Sequence, residues 1–222
     1  MEFITSAQIN IAETIEKKSR FIADLVPILK AADAEAALAD IRERHKGANH
    51  HCFAYRCGLG VPVERFSDDG EPSGTAGRPI LEVIRRQGMD NVLVVVTRYF
   101  GGVLLGANGL IRAYTQAASE VLTSTPKLLC APMQTLQVTC DYAIYGKLEY
   151  SLQQINIPLY EKTFNEAVSF ELVVPEKEVE KTMEQLTEWT NGQVTVAVSS
   201  PEYIGVAPDG SLVRGVWPEG MS

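Results

Sequence analysis

The chain has 222 residues, of which 45% are apolar and 22% charged, as in an ordinary soluble globular protein with one large or two modest domains. No apolar run approaches the roughly 18 residues that a membrane helix needs. The first residues, MEFITSAQIN, also lack the basic and apolar segments of a signal peptide. We therefore expect a cytoplasmic protein with no membrane partner.

The net charge of −8 is unevenly distributed along the chain. Residues 1–130 contain fifteen basic and fifteen acidic residues, whereas residues 131–222 contain five and thirteen. An acidic half repels nucleic-acid phosphates, so nucleic acid is expected to contact the N-terminal domain only, if it binds at all. A simpler interpretation is that the acidic half is only a soluble surface.

The cysteines lie at no metal-binding spacing, and no C-x-x-C occurs. We expect free thiols in a reducing compartment, and neither a cofactor nor a bound metal. The four cysteines are Cys52, Cys57, Cys130 and Cys140.

The N-terminal part is predicted to begin with a short lead-in over 1–18 and then to alternate strands with helices. Asp33 is a favourable helix N-cap. Val92–Val96 is apolar at every position, which is typical of a strand covered on both faces. The predicted elements are strand Phe21–Pro27, helix Ala34–His45, strand His50–Cys57, strand Val61–Phe66, helix Pro79–Gln87, strand Val92–Val96 and a helix from the Gly101-Gly102 turn to about Leu122.

The C-terminal part follows a predicted linker over Lys127–Pro132 and has a regular order of elements. The order β-α-β-β-α-β predicts a ferredoxin-like unit. Its elements are strand Gln134–Cys140, helix Tyr142–Ile155, strand Pro158–Phe164, strand Ala167–Val174, helix Glu176–Trp189 and strand Gln193–Ser199. The predicted domains are thus 1–130 and 131–200, and a loose tail is expected over 201–222 because that stretch is rich in Pro and Gly.

Two glycine-bearing connections are the most distinctive part of the sequence. The first, over Ser67–Gly77, is the acidic loop SDDGEPSGTAG, and the second is the turn GGVLLGANG that follows the apolar strand. A strand, a glycine turn and a helix form the general layout for binding an anion at a helix N-terminus. Neither G-x-G-x-x-G nor G-x-x-x-x-G-K-[ST] is present, however, and the glycines could serve only to pack the helix on the strand.

Arg98 directly follows the buried strand, where an unpaired cation is costly. It is predicted to pair with an acid of the first loop or with a ligand anion. Arg78 and Arg112 flank the two helix starts and could add positive potential there. A patch of Arg42, Arg44, Lys46, Arg85 and Arg86 could contact RNA, although a solvated helix face is the simpler interpretation.

Other chemistries have weaker support in the sequence. The acids Asp68, Asp69 and Glu71 could bind Mg²⁺ or Ca²⁺, but the loop lacks the EF-hand pattern. His50 and His51 point to opposite faces of a strand and cannot easily ligate one zinc ion. Cys52 shares a face with His50 and could be a nucleophile, although a buried structural cysteine is more common.

The segments FSDDGEPSGTAGRPI and VVVTRYFGGVLLGANGLIRAY resemble the signature of the IMPACT family, bacterial two-domain type. SRFIA at Ser19–Ala23 and HHCFAYR at His50–Arg56 fit it too, and the resemblance covers about residues 1–125. It implies an α+β protein with an N-terminal α/β two-layer domain like the second domain of a small-subunit ribosomal protein, and a C-terminal ferredoxin-like βαββαβ domain. It also implies a link to translation, which the eukaryotic members regulate, but provides no catalytic residues.

We therefore expect a binding or regulatory protein linked to translation, with a protein or ribosomal partner. The alternative is an enzyme that acts on a small anionic substrate in a groove between Asp68–Arg78 and Arg98–Gly109. In that alternative His50, Asp68, Asp69, Glu71 and Arg98 would do the chemistry. The sequence assigns no catalytic residues and leaves enzymatic activity open, while favouring a binding role. The candidate binding residues are His50, Arg56, Asp68, Asp69, Glu71, Thr75, Arg78, Arg98, Tyr99, Gly101, Gly102, Asn108 and Arg112.

Overall fold

A computed structural model describes residues 1–217, which contain strands β1–β12, helices α1–α5 and one short 3₁₀ turn. In chain order these are β1 (Phe3–Thr5), β2 (Asn10–Glu16), β3 (Ser19–Pro27), α1 (Ala31–Arg44), β4 (His50–Cys57), β5 (Val63–Ser67), α2 (Gly77–Arg86), β6 (Val92–Tyr99), α3 (Gly106–Ser124), β7 (Leu128–Cys140), α4 (Tyr142–Gln154), β8 (Tyr160–Phe164), β9 (Val168–Pro175), the turn Glu176–Glu178, α5 (Val179–Thr190), β10 (Val194–Val198), β11 (Glu202–Val206) and β12 (Leu212–Arg214). No helix among the described residues is long and apolar enough to cross a membrane.

The chain forms two compact units, and the predicted α+β fold class is confirmed. The first unit comprises Met1–Cys130 and Gly205–Val216, and the second comprises Ala131–Ile204 and Trp217. In the second unit, β7 lies between β9 and β10, and β8 flanks β9, with every pairing antiparallel. This is the strand order of a ferredoxin-like βαββαβ domain.

The first unit is built on an antiparallel sheet in the order β2-β3-β6-β4-β5. Its middle strand β6 is completely buried over Val92–Val96, which confirms the prediction of a strand covered on both faces. Helices α2 and α3 pack on one face through Val92, Val94 and Val96, whereas α1 packs on the other through Leu93 and Val95. The sheet is therefore packed on both faces and fixes the positions of the side chains at the ends of its strands.

The strand register brings distant residues together at one end of this sheet. Arg98 on β6 lies opposite His50 on β4 and opposite Phe21 on β3. Gly101 follows so close to the β2–β3 turn that a Cβ there would lie 2.1 Å from the carbonyl of Lys18. A Cβ at Gly77 would lie 2.6 Å from the carbonyl of Ser67. Only glycine fits these two close approaches, one in each connection.

Three segments differ from their sequence-based interpretations. The lead-in over 1–18 contains β1 and β2. In β2 the small and polar alternate residues are half-buried, whereas Ile11 and Ile15 are more than half exposed. The predicted linker over Lys127–Pro132 is the first part of the long strand β7. The predicted tail over 201–222 instead forms β11 and β12, while residues 218–222 lie outside the described residues.

The helix starts also differ from the prediction. Asp33 is the third residue of α1 rather than its N-cap, and its carboxylate accepts hydrogen bonds from the N–H groups of Leu29 and Lys30. Helix α2 begins at Gly77, two residues before Pro79, because Asp68 caps its amino end. Pro79 is tolerated at the third position because that N–H has no intrahelical partner.

Candidate functional site

The two glycine-bearing connections meet at a cavity of about 420 Å³ in the first unit. The acidic loop contributes Glu71 and Pro72, and the segment from Arg98 to Leu110 contributes most of the remaining wall. His50, the first residue of β4, and Asn49 just before it also line the cavity. The cavity size is within the roughly 300–1,000 Å³ typical of ligand pockets. The cavity lining consists of Asn49, His50, Glu71, Pro72, Arg98, Phe100, Leu104, Leu105, Gly106, Ala107 and Leu110.

Arg98 forms a buried ion pair with Glu71, one of the two kinds of partner that the sequence predicts for it. The distance from Arg98 Nη1 to Glu71 Oε1 is 2.6 Å, and the two side chains are only 7% and 3% exposed. The guanidinium lies 5.5 Å from the ring centroids of both Phe21 and Phe100. Its Nε–H has no hydrogen-bond partner among the described residues. The cation is therefore held firmly, while its Nε–H remains without an acceptor in the described part of the chain.

The Glu71 carboxylate continues into a buried hydrogen-bond chain. Tyr114 on α3 donates its hydroxyl to Glu71 Oε1 at 2.7 Å, and Cys52 on β4 donates its thiol to Tyr114 at 3.3 Å. Burial raises the pKa of Tyr114, and burial likewise raises the pKa of Cys52 to about 12. A fully buried thiol that stays protonated is a poor nucleophile, so the structure argues against a catalytic role for Cys52.

His50 is oriented so that one ring nitrogen forms no hydrogen bond to any residue in the described range 1–217. Its Nδ1 lies 2.8 Å from the carbonyl oxygen of Asp69, so Nδ1 carries the proton. The Nε2 atom lies 3.9 Å from Glu71 Oε1, and the residue lines the cavity. In the neutral ring this Nε2 is an available hydrogen-bond acceptor at the floor of the site.

The two aspartates of the acidic loop fix its conformation. Asp68 accepts hydrogen bonds from the N–H groups of Gly74, Ala76 and Gly77, and so caps α2. Asp69 adopts a φ of 42° and accepts a hydrogen bond from His51 N at 2.7 Å. It also pairs with Arg42 on α1 at 3.1 Å. Neither aspartate lines the cavity, so both act as supports of the loop.

The second connection ends at an uncapped helix. Phe100 donates its N–H to Asn49 Oδ1 at 2.8 Å, and Gly101 donates its N–H to Ser19 Oγ at 3.2 Å. Gly102 is exposed and has a φ of 83°, which favours glycine. Within residues 1–217, no side-chain cap is found at the amino end of α3, and the first turn of the helix contains no acid.

The remaining predicted residues do not line this cavity. Tyr99 lies on the opposite face of β6 and contacts His45 Nδ1 through its hydroxyl at 3.0 Å. Arg56 lies opposite Val92, at the other end of the sheet, and pairs with Asp90 at 2.9 Å. Six residues along a strand correspond to about 20 Å, so Arg56 lies well outside this cavity.

Four further candidates flank the site without entering it. Thr75 is buried and donates its hydroxyl to the carbonyl of Pro72. Arg78 and Asn108 are exposed in the first turns of α2 and α3. Arg112 is exposed one turn further along α3, beside a separate depression.

The sequence interpretation missed residues that the structure places in the cavity wall. Phe100, Leu104, Leu105 and Leu110 contribute its apolar surface. The period of two along β6 could have identified Phe100, because it continues the face of Arg98 and leaves Tyr99 on the other face. Nothing local in the sequence indicates that Tyr114 reaches Glu71.

The basic residues that could have contacted RNA do not form one patch. Arg42, Arg44 and Lys46 lie on or just after α1, whereas Arg85 and Arg86 lie on α2, on the other face of the sheet. Arg42 pairs with Asp69, Arg44 with Asp24, Lys46 with Glu43 and Arg85 with Glu64. No group of three or more His, Cys, Asp or Glu among the described residues is arranged to hold a metal ion.

Comparison with known proteins gives matches in both units. Residues 17–122 match the Impact N-terminal domain, and residues 138–193 match a domain of unknown function, DUF1949. The chain is 38% identical to the IMPACT family member YvyE of Bacillus subtilis, over 86% of this chain and 88% of the relative. It is 31% identical to the IMPACT family member YigZ of Escherichia coli, over 86% of this chain and 94% of the relative.

Two other matches are more distant or partial. Protein IMPACT of Rattus norvegicus is 33% identical over 43% of this chain and 31% of its own length. A crystal structure described only as that of a hypothetical protein superposes with a TM-score of 0.58 at 29% identity, over 88% of this chain and 96% of that chain.

Proposed function

The chain belongs to the IMPACT family, and on that premise we propose that it is a binding protein linked to translation, whose recognition surface is the cavity between the two glycine-bearing connections. We further propose that its partner is a translation factor or a ribosomal protein. The link to translation rests on the family resemblance, since the chain matches the eukaryotic proteins named Protein IMPACT over 41–43% of its length.

The observation that carries the proposal is the exposed apolar rim of the cavity. Phe100, Val103 and Leu104 are 42%, 39% and 84% exposed, and they follow one another within five residues. A contiguous exposed apolar surface beside a pocket is a mark of an interaction site. The neighbouring acids cap a helix or neutralise Arg98, which is the arrangement of a shaped scaffold rather than of free catalytic carboxylates.

The charge distribution favours a protein partner over RNA. Phosphate-dominated binding requires uncompensated basic residues, and residues 1–130 carry equal numbers of basic and acidic side chains. The arginines of α1 and α2 are also largely engaged in ion pairs with acids.

Affinity capture with the full chain tests the proposal. The native lysate is passed over immobilised wild type, Leu104→Ser and Val61→Ser, each with and without RNase. Val61 is 93% exposed and lies outside the cavity, so Val61→Ser is a matched loss of an exposed apolar side chain. We expect RNase-resistant capture of translation components by wild type and Val61→Ser, with a clear loss for Leu104→Ser. Capture that vanishes with RNase, or that is equal for all three proteins, contradicts the proposal.

The alternative function is an enzyme that acts on a small anionic substrate in the same cavity. The observation that favours it is the free Nε2 of His50 beside the Arg98–Glu71 pair. A thermal shift produced by an anionic metabolite, with no macromolecule captured, would favour this alternative.

A further inference from the structure

We infer that the cavity binds the C-terminal residue of a polypeptide partner, with the terminal carboxylate at the amino end of α3 and an apolar side chain against Phe100 and the leucines. The inference rests on the proposed function, because it specifies which part of a protein partner enters the site.

The first support is the amino end of α3, which forms part of the cavity wall through Gly106, Ala107 and Leu110. Helix α3 has 19 residues, and in the part of the chain that the structure describes its amino end has neither a capping side chain nor an acid in the first turn. The first N–H groups of a helix have no intrahelical partner and carry the positive end of its dipole. A carboxylate bound there would satisfy donors that the chain itself leaves open.

The second, independent support is Arg98 in the adjoining wall. Its side chain is only 7% exposed, yet its Nε–H has no partner among the described residues. A buried donor without an acceptor is unfavourable. An oxygen acceptor brought by a ligand, together with a small shift of the exposed Phe100 ring, would provide the missing partner.

The turn beside the cavity adds positive charge. Lys17 and Lys18 form the β2–β3 turn with φ values of 44° and 69°, a conformation that L-residues seldom adopt. Both are exposed, and neither forms an ion pair among the described residues. The backbone of Lys18 lies against Gly101, immediately after the cavity-lining Phe100.

The apolar walls decide what the carboxylate is attached to. Pro72, Phe100, Leu105 and Leu110 surround the polar floor, and this composition suits an apolar side chain rather than a phosphate. Glu71 also lines the cavity, and although Arg98 neutralises it, it disfavours a ligand with two negative charges. Leu104 is 84% exposed at the rim. A small molecule inside the cavity would leave this side chain in water. A polypeptide chain that leads out of the cavity would cover this rim.

The test uses the full chain and titrates N-acetyl-glycyl-leucine as the free acid and as the C-terminal amide, followed by NMR shifts of the backbone amides. Inorganic phosphate and hexauridylate are the comparison ligands. Asn108→Asp places one negative charge in the first turn of α3, where it favours the helix but repels a bound carboxylate. Gln116→Glu introduces the same charge about 12 Å further along α3 and is the matched control.

We expect the free acid to bind the wild type more tightly than the amide, with shifts at Gly106, Ala107 and Asn108. Asn108→Asp should weaken binding of the acid by about fivefold, while Gln116→Glu should leave it unchanged. Equal affinity for acid and amide, tighter binding of phosphate or hexauridylate, or no binding of the acid at millimolar concentration would each overturn the inference.

The two proposals fail in distinguishable ways. If the acid probe binds as described but affinity capture yields no translation component, the carboxylate site is supported and the link to translation is contradicted. If Asn108→Asp captures the same translation components as wild type, the proposed function is supported and the carboxylate site is contradicted.

Discussion

Arg98 and Glu71 are 27 residues apart in the sequence, yet they form a buried ion pair with an Nη1–Oε1 distance of 2.6 Å. The pair joins the acidic loop to the end of the central strand β6, and so fixes the two connections that form the cavity. The cavity is therefore coupled to the stability of the first unit, because removing either partner would leave the other as an unpaired charge in the interior.

The first prediction concerns this pair. Arg98→Ala leaves the Glu71 carboxylate buried without its cation, and we expect the free energy of unfolding to fall by about 3–5 kcal/mol. Urea denaturation of the full chain measures the change. Arg20→Ala breaks the exposed Arg20–Glu13 pair and should have a much smaller effect. Equal effects of the two substitutions would show that the buried pair is not a determinant of stability.

The second prediction separates a steric from a conformational role of the two glycines after β6. A Cβ at Gly101 would overlap the backbone of Lys18 at 2.1 Å, whereas a Cβ at Gly102 meets nothing within 4 Å but requires a φ of 83°. Gly102→Ala should cost about 1–2 kcal/mol through its left-handed backbone. Gly101→Ala should cost more, because backbone must move. Thermal denaturation ranks the two variants, and the reverse order would contradict the close approach.

The third prediction concerns the cap of α2. Asp68→Ala removes the acceptor for the N–H groups of Gly74, Ala76 and Gly77, and should destabilise the protein by about 2 kcal/mol. Asp40→Ala, at an exposed position of α1, is the control and should change the stability little. Hydrogen exchange should also show that the first turn of α2 opens more readily in Asp68→Ala. Unchanged exchange there would argue against capping by Asp68.

The fourth prediction is a loss of stability at alkaline pH. Burial raises the pKa of Cys52 to about 12, from an ordinary value near 9. The folded state therefore holds this proton more tightly than the unfolded state. The resulting stability is fully present below pH 9 and is lost as the pH rises towards 12, by up to about 1.4 kcal/mol per pH unit.

Urea denaturation at pH 7, 9 and 10 measures this dependence, and Cys52→Ser is the test variant because a hydroxyl does not titrate in this range. We expect a flatter alkaline profile for Cys52→Ser, with a residual slope from the buried Tyr114, whose pKa is also raised. Identical slopes for the two proteins would show that Cys52 is not the titrating group.

Much of the first unit follows from local patterns in the sequence. The continuous apolar run of β6 predicted a strand covered on both faces, and the alternation along His50–Cys57 predicted β4 to the residue. Strand β2 was not predicted because its isoleucines face outwards. Its apolar and polar residues therefore alternate in the opposite sense to those of a usual edge strand. Strands β11 and β12 escaped because a segment rich in Pro and Gly resembles a loose tail until its pairing is known.

The candidate site was predictable only in part. The convergence of the two connections was expected, and the register of β4 with β6 also brings His50 opposite Arg98. Arg56 lies outside the cavity, and the sequence does not indicate how far along the strand the cavity extends. The contact of Tyr114 with Glu71 depends on how α3 packs, which no local pattern specifies.

The central claim is that the cavity rim is the surface on which a partner of the translation apparatus binds. The most direct test of this claim is photo-cross-linking in the native cell. The full chain carries a photo-cross-linking amino acid at position 104, and a second version that carries it at position 61 is the control. The account predicts that position 104 alone cross-links to a ribosomal protein or translation factor. Cross-linking of the same products from both positions, or of no translation component from position 104, would contradict it.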